Sequence, residues 1–266
     1  MSNSEKTITT TGPTDGTDAL GVREYDIAGL QVVLGVPTYG PVNPITAKCL
    51  RVAVMHAGNR GVTWLGDGSP DRMGYGAARN TVVQYAFKNV PYADGIMWID
   101  SDIKPAPDHI SRLLDTVNHN KLHFVTGVYF QREGVHNPVF YGWNKDKYAF
   151  QPAEQYLPNV LGKIDGCGFG FVFTSMKMLK DIALSAKFEE RSGWFPDKRD
   201  IGGFGEDLSF CYLAKEAGYD LWVDTGIQPS HEGNVQYITE ADFKREQEQW
   251  IKDNKKQEKR RWGIES

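Results

Sequence analysis

Apolar segments typical of strands alternate with segments of helical periodicity through the first half of this chain. The strand-like segments are Leu30–Val36, Gly61–Leu65, Gly95–Ile99 and Phe124–Tyr129, and helical periodicity covers residues 45–55, 77–87 and 109–117. Strands that alternate with helices form largely parallel sheets with helices on both faces. We therefore predict an α/β fold in which a mostly parallel central sheet lies between two helical layers.

The second half of the chain shows a different pattern. Residues 138–161 are rich in aromatic side chains and lack a regular period, which predicts irregular structure. Further along, the predicted elements are a strand at Phe169–Phe173, a helix at Lys177–Ala186, a helix at Glu206–Ala217 that Gly218 ends, and a short strand at Tyr219–Val223.

Three regions are expected along the chain. Residues 1–27 are rich in Thr, Ser, Gly and Asp and poor in large apolar groups, so they cannot offset the entropy of ordering and are predicted to form a flexible tail. Residues 28–238 form the predicted domain, and residues 239–266 are predicted to form a charged helix. The basic cluster at 255–261 can bind phosphate-bearing polymers, although the interleaved acids favour a solvated surface helix.

The composition limits the class of protein. With 266 residues, 40% of them hydrophobic, the chain can bury a substantial core. It has no run of 18 apolar residues and no secretory signal pattern, so we expect a cytoplasmic protein without a membrane span. The three cysteines show no Cys-x-x-Cys spacing, which argues against a zinc site or a disulfide framework. The net charge of -4 gives no general attraction to nucleic acid.

Two carboxylates follow the predicted strand at Gly95–Ile99. Asp100 and Asp102 are two residues apart, so in an extended segment their side chains point to the same side and can share one cation. Carboxylate oxygens suit Mg²⁺ or Mn²⁺, and such ions commonly carry the phosphates of a substrate. The sequence therefore predicts a site for a metal-bound phosphorylated donor. The simpler alternative is a pair of solvated aspartates in a turn.

A glycine-rich loop at 202–205 brings two further acids, Glu206 and Asp207, to the start of a helix. The helix N-terminus keeps a carboxylate ionised at this position, so Asp207 is a candidate general base. The alternative is that one of the two acids only caps the helix.

Other candidate site residues are spread along the chain. His231 follows a predicted strand, and its imidazole can complete the coordination of a cation begun by Asp102; the alternative is an ordinary hydrogen-bonded histidine. Arg79 and Asn80 lie near the start of a helix, where a guanidinium can meet phosphate oxygens or form a structural ion pair. The glycines around Gly168 match no phosphate loop and permit close approach of the backbone to a donor or acceptor.

In their order and spacing these motifs resemble glycosyltransferases of the GT-A fold, especially the group called family 2, over residues 30–232. The matching segments are Val36–Tyr39, Gly76–Asn80, Ile99–Ile103 with the prolines that follow it, Gly168–Gly170, Gly205–Phe210 and His231. The resemblance implies a GT-A type three-layer α/β/α sandwich.

The resemblance also implies that a sugar moves from a nucleotide-sugar donor, with a UDP-sugar as the first expectation, to an acceptor hydroxyl. Asp102, His231 and Asp100 would hold Mn²⁺ or Mg²⁺. Asp207, with Glu206 beside it, would take the proton of the acceptor, and direct displacement would invert the anomeric centre. The implied donor-binding residues are Pro37, Thr38, Tyr39, Asp67, Arg79, Asn80, Asp100 and Ser101.

One segment departs from the family pattern. Asp67 lies in a loop that resembles the acidic loop after the second strand, but Gly66 replaces an acid there. The segment between Asp71 and Arg79 is also too short for the usual helix and strand.

The acceptor is the least defined part of the prediction. Gly168, Trp194 and Phe195 are assigned to acceptor binding because aromatic faces can stack on a sugar or a nucleobase, although aromatic residues there also suit a core. The basic end of the chain and the lack of a membrane anchor motivate one specific acceptor, a hydroxylated DNA base, which some phage enzymes of this general type modify.

Two other classes of protein fit part of the pattern. A haloacid-dehalogenase-like phosphatase also places Asp-x-Asp after an apolar strand, but its first Asp normally lies near the start of the chain, whereas Asp100 is in the middle. A non-catalytic sugar-binding module needs no base, whereas Asp102, Asp207 and His231 are all present.

Overall fold

A seven-stranded sheet lies at the centre of the protein in the computed structural model, which describes residues 25–70, 72–132, 134, 136–185, 188, 193–196, 204–233 and 237–261. In chain order the elements are β1 (Gln31–Gly35), α1 (Pro44–Asn59), β2 (Thr63–Asp67), α2 (Tyr75–Asn89), β3 (Gly95–Ile99), β4 (Ile103–Lys104), α3 (His109–Asn120), β5 (Phe124–Gly127), β6 (Phe140–Asn144), β7 (Ala149–Pro152), β8 (Leu161–Ile164), β9 (Gly166–Cys167), β10 (Phe171–Ser175), α4 (Met176–Ala183), α5 (Glu206–Glu216), β11 (Leu221–Asp224), β12 (Ser230–Glu232), β13 (Tyr237–Ile238) and α6 (Glu240–Arg261).

The central sheet is mostly parallel. Its strand order is β2-β1-β3-β10-β5-β11-β8, in which β10 and β8 run against the other five strands. Every residue of β3 is buried because helices cover both faces of the sheet. The predicted α/β architecture with a mostly parallel central sheet is confirmed.

Alternate residues of the strands point into two separate apolar cores. On one face Val33 and Trp98 belong to the core formed with α2, α4 and α5, whereas Val32 and Met97 belong to the core formed with α1 and α3 on the other face. Each parallel strand therefore joins both helical layers. The carboxyl ends of β1, β3 and β5 meet at one edge of the sheet, which is where ligands bind in open α/β folds.

Residues 138–161, predicted to be irregular, contain two paired strands. β6 and β7 form an antiparallel hairpin, and β9 extends this small sheet on the other side. The Asn144 side chain accepts hydrogen bonds from the backbone N–H groups of Asp146 and Lys147, which closes the turn. Aromatic residues suit strands as well as cores, so the aromatic content of this stretch did not reveal its structure.

Segments near both ends of the described chain pack onto the core. Ile27 is fully buried, and the Asp26 N–H donates to Asp115 of α3; residues 1–24 of the predicted tail lie outside the described residues. The predicted charged helix is α6, where Phe243 stacks on Phe130 with ring centroids 5.4 Å apart. Within the described ranges, no helix has both the length and the apolar surface needed to cross a bilayer.

Gly95 is expected to be essential for packing in the central sheet. A Cβ atom at Gly95 would lie 2.4 Å from the carbonyl oxygen of Thr174 and 2.3 Å from the Phe173 ring, so Gly95→Ala forces β3 and β10 apart. We expect a loss of about 3 kcal/mol in the free energy of unfolding, measured by urea denaturation. Gly142→Ala is the matched control, because its nearest atom would be 4.0 Å away; equal losses in the two variants would contradict the prediction.

Candidate active site

A buried arginine joins three carboxylates at the carboxyl edge of the sheet. The Arg79 side chain is 1% exposed. Its Nη2 lies 2.9 and 3.2 Å from the two oxygens of Asp100, and its Nη1 lies 3.1 Å from Glu206 Oε1 and 2.6 Å from Asp207 Oδ1. Such a buried cation needs close counter-charges because water does not solvate it. The structure therefore brings together four residues that were predicted separately.

The fold explains why these residues converge. Arg79 lies in the second turn of α2, Asp100 directly follows β3, and Glu206 and Asp207 form the first turn of α5. The N-cap of α5 is Gly205, and no side-chain hydrogen bond caps the helix. Asp207 Oδ2 instead accepts a hydrogen bond from the Phe169 N–H, at 3.3 Å. The hydrogen bonds of the Asp207 side chain therefore go to Arg79 and Phe169, outside helix α5.

The environment of Asp207 favours the protonated acid more than water does. Burial raises the pKa of Asp207 to about 7, Arg79 opposes this rise, and the negative charges of Glu206 and Asp100 add to it. Burial also raises the pKa of Asp100 in spite of its contacts with Arg79. The single guanidinium of Arg79 thus faces three carboxylates. Because its pKa is about 7, Asp207 can exchange a proton at neutral pH.

Backbone pairing holds His231 beside Asp102. In the β12–β4 ladder His231 is opposite Ile103, and the Glu232 N–H donates to the Asp102 carbonyl oxygen. His231 Nδ1 lies 2.7 Å from the carbonyl oxygen of Phe130, which can only accept, so Nδ1 carries a proton. In the neutral imidazole the lone pair then lies on Nε2, which is 3.4 Å from Asp102 Oδ2. This tautomer is the one that can bind a metal through Nε2.

Asp102 and His231 fit a divalent cation that has two protein ligands. Burial acts to raise the pKa of Asp102, but His231 and Arg132 together hold the pKa below its usual value, so the carboxylate stays ionised. In the part of the chain that the structure describes, no group of three or more His, Cys, Asp or Glu side chains could hold a metal ion. A cation here would therefore take its other ligands from phosphate oxygens and water.

These groups line one cleft of about 660 Å³, which is large enough for a nucleotide-sized ligand. Of the residues predicted from the sequence, the cleft contains Arg79, Asp100, Ser101, Asp102, Gly168, Glu206, Asp207 and His231. Its remaining walls include residues that the sequence did not single out, among them Tyr75, Tyr129, Arg132 and Tyr141.

Seven of the predicted site residues do not line the cleft, and three of these are Asn80, Trp194 and Phe195. The Asn80 amide bonds to both backbone polar groups of Phe195, at 3.1 Å each, and so fixes a loop. Phe195 is 1% exposed and packs against Trp98, Phe169 and Phe210. Trp194 donates from Nε1 to the Leu179 carbonyl oxygen inside the core. Because their rings are buried, Trp194 and Phe195 do not stack on an acceptor as predicted.

The remaining predicted residues lie at the ends of β1 and β2. Pro37 is buried, and the Thr38 hydroxyl donates to the Val36 carbonyl oxygen. Tyr39 is exposed, and its ring lies 6.5 Å from that of Tyr75, which lines the cleft. Asp67 is bonded within its own loop, where it accepts from the Ser69 N–H and hydroxyl, and it does not line the cleft.

Tyr129 explains two of the glycines in the 168–170 segment. Its hydroxyl accepts a hydrogen bond from the Gly170 N–H, at 3.0 Å. A Cβ atom at Gly168 would lie 2.3 Å from the Tyr129 hydroxyl, and one at Gly170 would lie 2.6 Å from the ring. The paired glycines were therefore a signal for a large side chain crossing the backbone, but the sequence did not say which one.

Part of the chain matches a known protein family. The sequence model for Glycosyl transferase family 2 matches residues 69–182, which contain Arg79, Asp100 and Asp102. Residues 69–182 therefore form a glycosyltransferase domain, and the central sheet with its helices has the GT-A type of fold. Asp207 and His231 lie beyond the matched segment, and the fold brings them into the cleft of this glycosyltransferase.

Several solved structures are similar to this chain in fold. A197 from STIV superposes with a TM-score of 0.52 at 15% identity, over 79% of this chain and 90% of that one. GalNAc-T7 with UDP, GalNAc and Mn²⁺ has a TM-score of 0.46 at 11% identity, and the match covers 83% of this chain and 47% of that one. The catalytic domain of Drosophila beta1,4galactosyltransferase 7 in complex with xylobiose has a TM-score of 0.42 at 14% identity, over 74% of this chain and 66% of that one. No curated protein is significantly similar in sequence.

Removal of the Arg79 charge is expected to destabilise the protein in a pH-dependent way. Arg79→Gln leaves three acids without their shared cation, which costs about 3–5 kcal/mol of unfolding free energy at pH 7. The pKa values of Asp100 and Asp207 in the folded state, already raised, then rise further above the unfolded values, so the loss grows between pH 5.5 and pH 8. Urea denaturation at both pH values measures it. Lys163→Gln removes an exposed ion pair with Asp220 and should cost less than about 1 kcal/mol. A loss in Arg79→Gln that does not change with pH would contradict this account.

Proposed function

We propose that this glycosyltransferase transfers a sugar from a nucleotide-sugar donor, first of all a UDP-sugar, to an acceptor hydroxyl with inversion, and that it needs Mn²⁺ or Mg²⁺. One observation carries the proposal. A single cleft contains both a carboxylate–imidazole pair suited to a cation and a separate carboxylate, Asp207, whose pKa is about 7. The first set of groups suits the donor diphosphate, and the second suits the acceptor.

The donor side of the cleft is assigned to Asp102 and His231. A divalent cation bound there would neutralise the charge that develops on the departing nucleoside diphosphate. Asp102 would contribute Oδ2 and His231 would contribute Nε2, and the Phe130 carbonyl holds the imidazole ring in place. Asp100 also comes from the Asp-x-Asp motif, but both of its oxygens contact Arg79, so we give it the role of holding that guanidinium.

The acceptor side is assigned to Asp207. Its carboxylate accepts the proton of the acceptor hydroxyl while that oxygen attacks the anomeric carbon and the bond from the anomeric carbon to the diphosphate oxygen breaks. Arg79 and the Phe169 N–H hold the two carboxylate oxygens and so fix the orientation of the base. Glu206 shares Nη1 of Arg79 and adds negative charge beside Asp207, which supports a high pKa. A direct displacement of this kind inverts the configuration.

We propose that the acceptor is a compound whose hydroxyl contacts Asp207 in the cleft, which Gly168 and Tyr141 also line. A hydroxylated DNA base belongs to this class. The side chains of residues 255–261, the basic cluster that motivates a DNA acceptor, lie outside the described part of the chain.

A thermal-shift screen of nucleotide sugars with and without Mn²⁺ tests the donor site. A ligand that binds only the folded state raises the melting temperature, and we expect a shift of several degrees with a UDP-sugar that requires the metal. Asp102→Asn should abolish the metal-dependent part, because it removes the charged ligand. Asp220→Asn, on the surface, is the matched control. The absence of any metal-dependent shift with any donor would refute the proposed donor site.

The role of Asp207 is tested by kinetics. Asp207→Asn should lower kcat by roughly 10²–10⁴-fold while binding of UDP and Mn²⁺, measured by calorimetry, persists. In the unsubstituted enzyme kcat/KM should rise with pH below about 7 and level off above it, since the base must be ionised and its pKa is about 7. Full activity of Asp207→Asn would exclude Asp207 as the base, and loss of donor binding with activity would point to a structural role.

A further inference from the structure

The guanidinium of Arg132 contacts the same oxygen of Asp102 that faces His231. Arg132 Nη1 lies 2.9 Å from Asp102 Oδ2, and His231 Nε2 lies 3.4 Å from the same atom. The Arg132 side chain is 51% exposed and lines the cleft, in contrast to the buried Arg79. Arg132 therefore has solvent-accessible space around it, whereas Arg79 is enclosed by its partners.

The backbone that carries Arg132 is held firmly. Gln131 N–H donates to the Asn137 carbonyl oxygen, next to an antiparallel bridge between Phe130 and Pro138. His136 donates from Nδ1 to the Gln131 carbonyl oxygen, at 2.7 Å, and its Nε2 lies 3.0 Å from Glu246 of α6. With Gln131 anchored in this way, a change of partner for Arg132 needs only rotation of its side chain.

Charge determines which partners Arg132 can have. A divalent cation that uses Asp102 Oδ2 and His231 Nε2 as ligands takes the oxygen that Arg132 contacts, and it repels the guanidinium. The same cation brings phosphate oxygens into the cleft, and a guanidinium binds such oxygens through two parallel hydrogen bonds.

We propose that Arg132 exchanges Asp102 for the diphosphate of the donor when the cation binds. Arg132 then positions the donor and stabilises the charge that grows on the leaving diphosphate. This inference rests on the proposed function, because it needs a cation and a diphosphate in this cleft. Its consequence is that cation and nucleotide bind cooperatively: the cation alone must displace Arg132, whereas the diphosphate gives the displaced side chain a new partner.

The test is a Mn²⁺ titration followed by electron paramagnetic resonance, with and without saturating UDP. Arg132→Gln removes the competing charge, so it should bind Mn²⁺ alone about fivefold more tightly than the wild type. UDP strengthens Mn²⁺ binding by some factor in the wild type, and in Arg132→Gln this factor should be at least about tenfold smaller. Arg132→Lys keeps the charge and should bind Mn²⁺ alone as the wild type does. Lys163→Gln, a similarly exposed ion-pair residue outside the cleft, is the control.

The outcomes separate this inference from the proposed function. Wild type that binds Mn²⁺ with UDP, together with an Arg132→Gln variant that behaves like Lys163→Gln or binds Mn²⁺ alone more weakly, overturns the exchange and leaves the metal site intact. Wild type that binds no Mn²⁺ even with UDP overturns the proposed metal site, and the exchange falls with it. Equal melting temperatures of the variants in the absence of ligands establish that altered binding does not reflect altered folding.

Discussion

The buried guanidinium of Arg79 is the interaction on which the rest of the site depends. A cation at 1% exposure is stable only with close counter-charges, and here they come from two distant parts of the chain, Asp100 after β3 and the Glu206–Asp207 pair at the start of α5. The strand end and the helix start therefore cannot separate without leaving charges unpaired in the interior. Arg79 thereby joins the two parts of the cleft that we propose for the donor and the acceptor.

The balance of charge around Arg79 follows from this arrangement. One guanidinium does not neutralise Asp100, Glu206 and Asp207 together, so the negative excess and burial raise the pKa of Asp207. At Asp102 the balance is reversed: His231 and Arg132 hold the pKa of that carboxyl low. Two aspartates in one cleft are thus set to opposite tasks, one able to take up a proton and one kept ionised, by the number and sign of their neighbours.

Local patterns in the sequence predicted what depends on local structure. The Gly95–Ile99 strand was predicted residue for residue because its apolar run has clear limits, and Asp100 and Asp102 follow from its end. Trp194 and Phe195 were misassigned because a single sequence does not distinguish a ring that faces a ligand from one that faces a core. Arg132 could not be found in this way, since its contact with Asp102 depends on a hairpin and on pairing between distant strands.

Asp102 and His231 are brought together by main-chain pairing between β4 and β12 rather than by their own side chains. Placement and identity of the two side chains are therefore separable: a different residue at position 231 would still project toward Asp102, because the ladder does not depend on the imidazole. A single substitution at position 231 can therefore change the group that faces Asp102 while the fold stays the same. Under the proposed function, the ion preference of this site is open to change during evolution at low structural risk, and position 231 is a direct target for redesign.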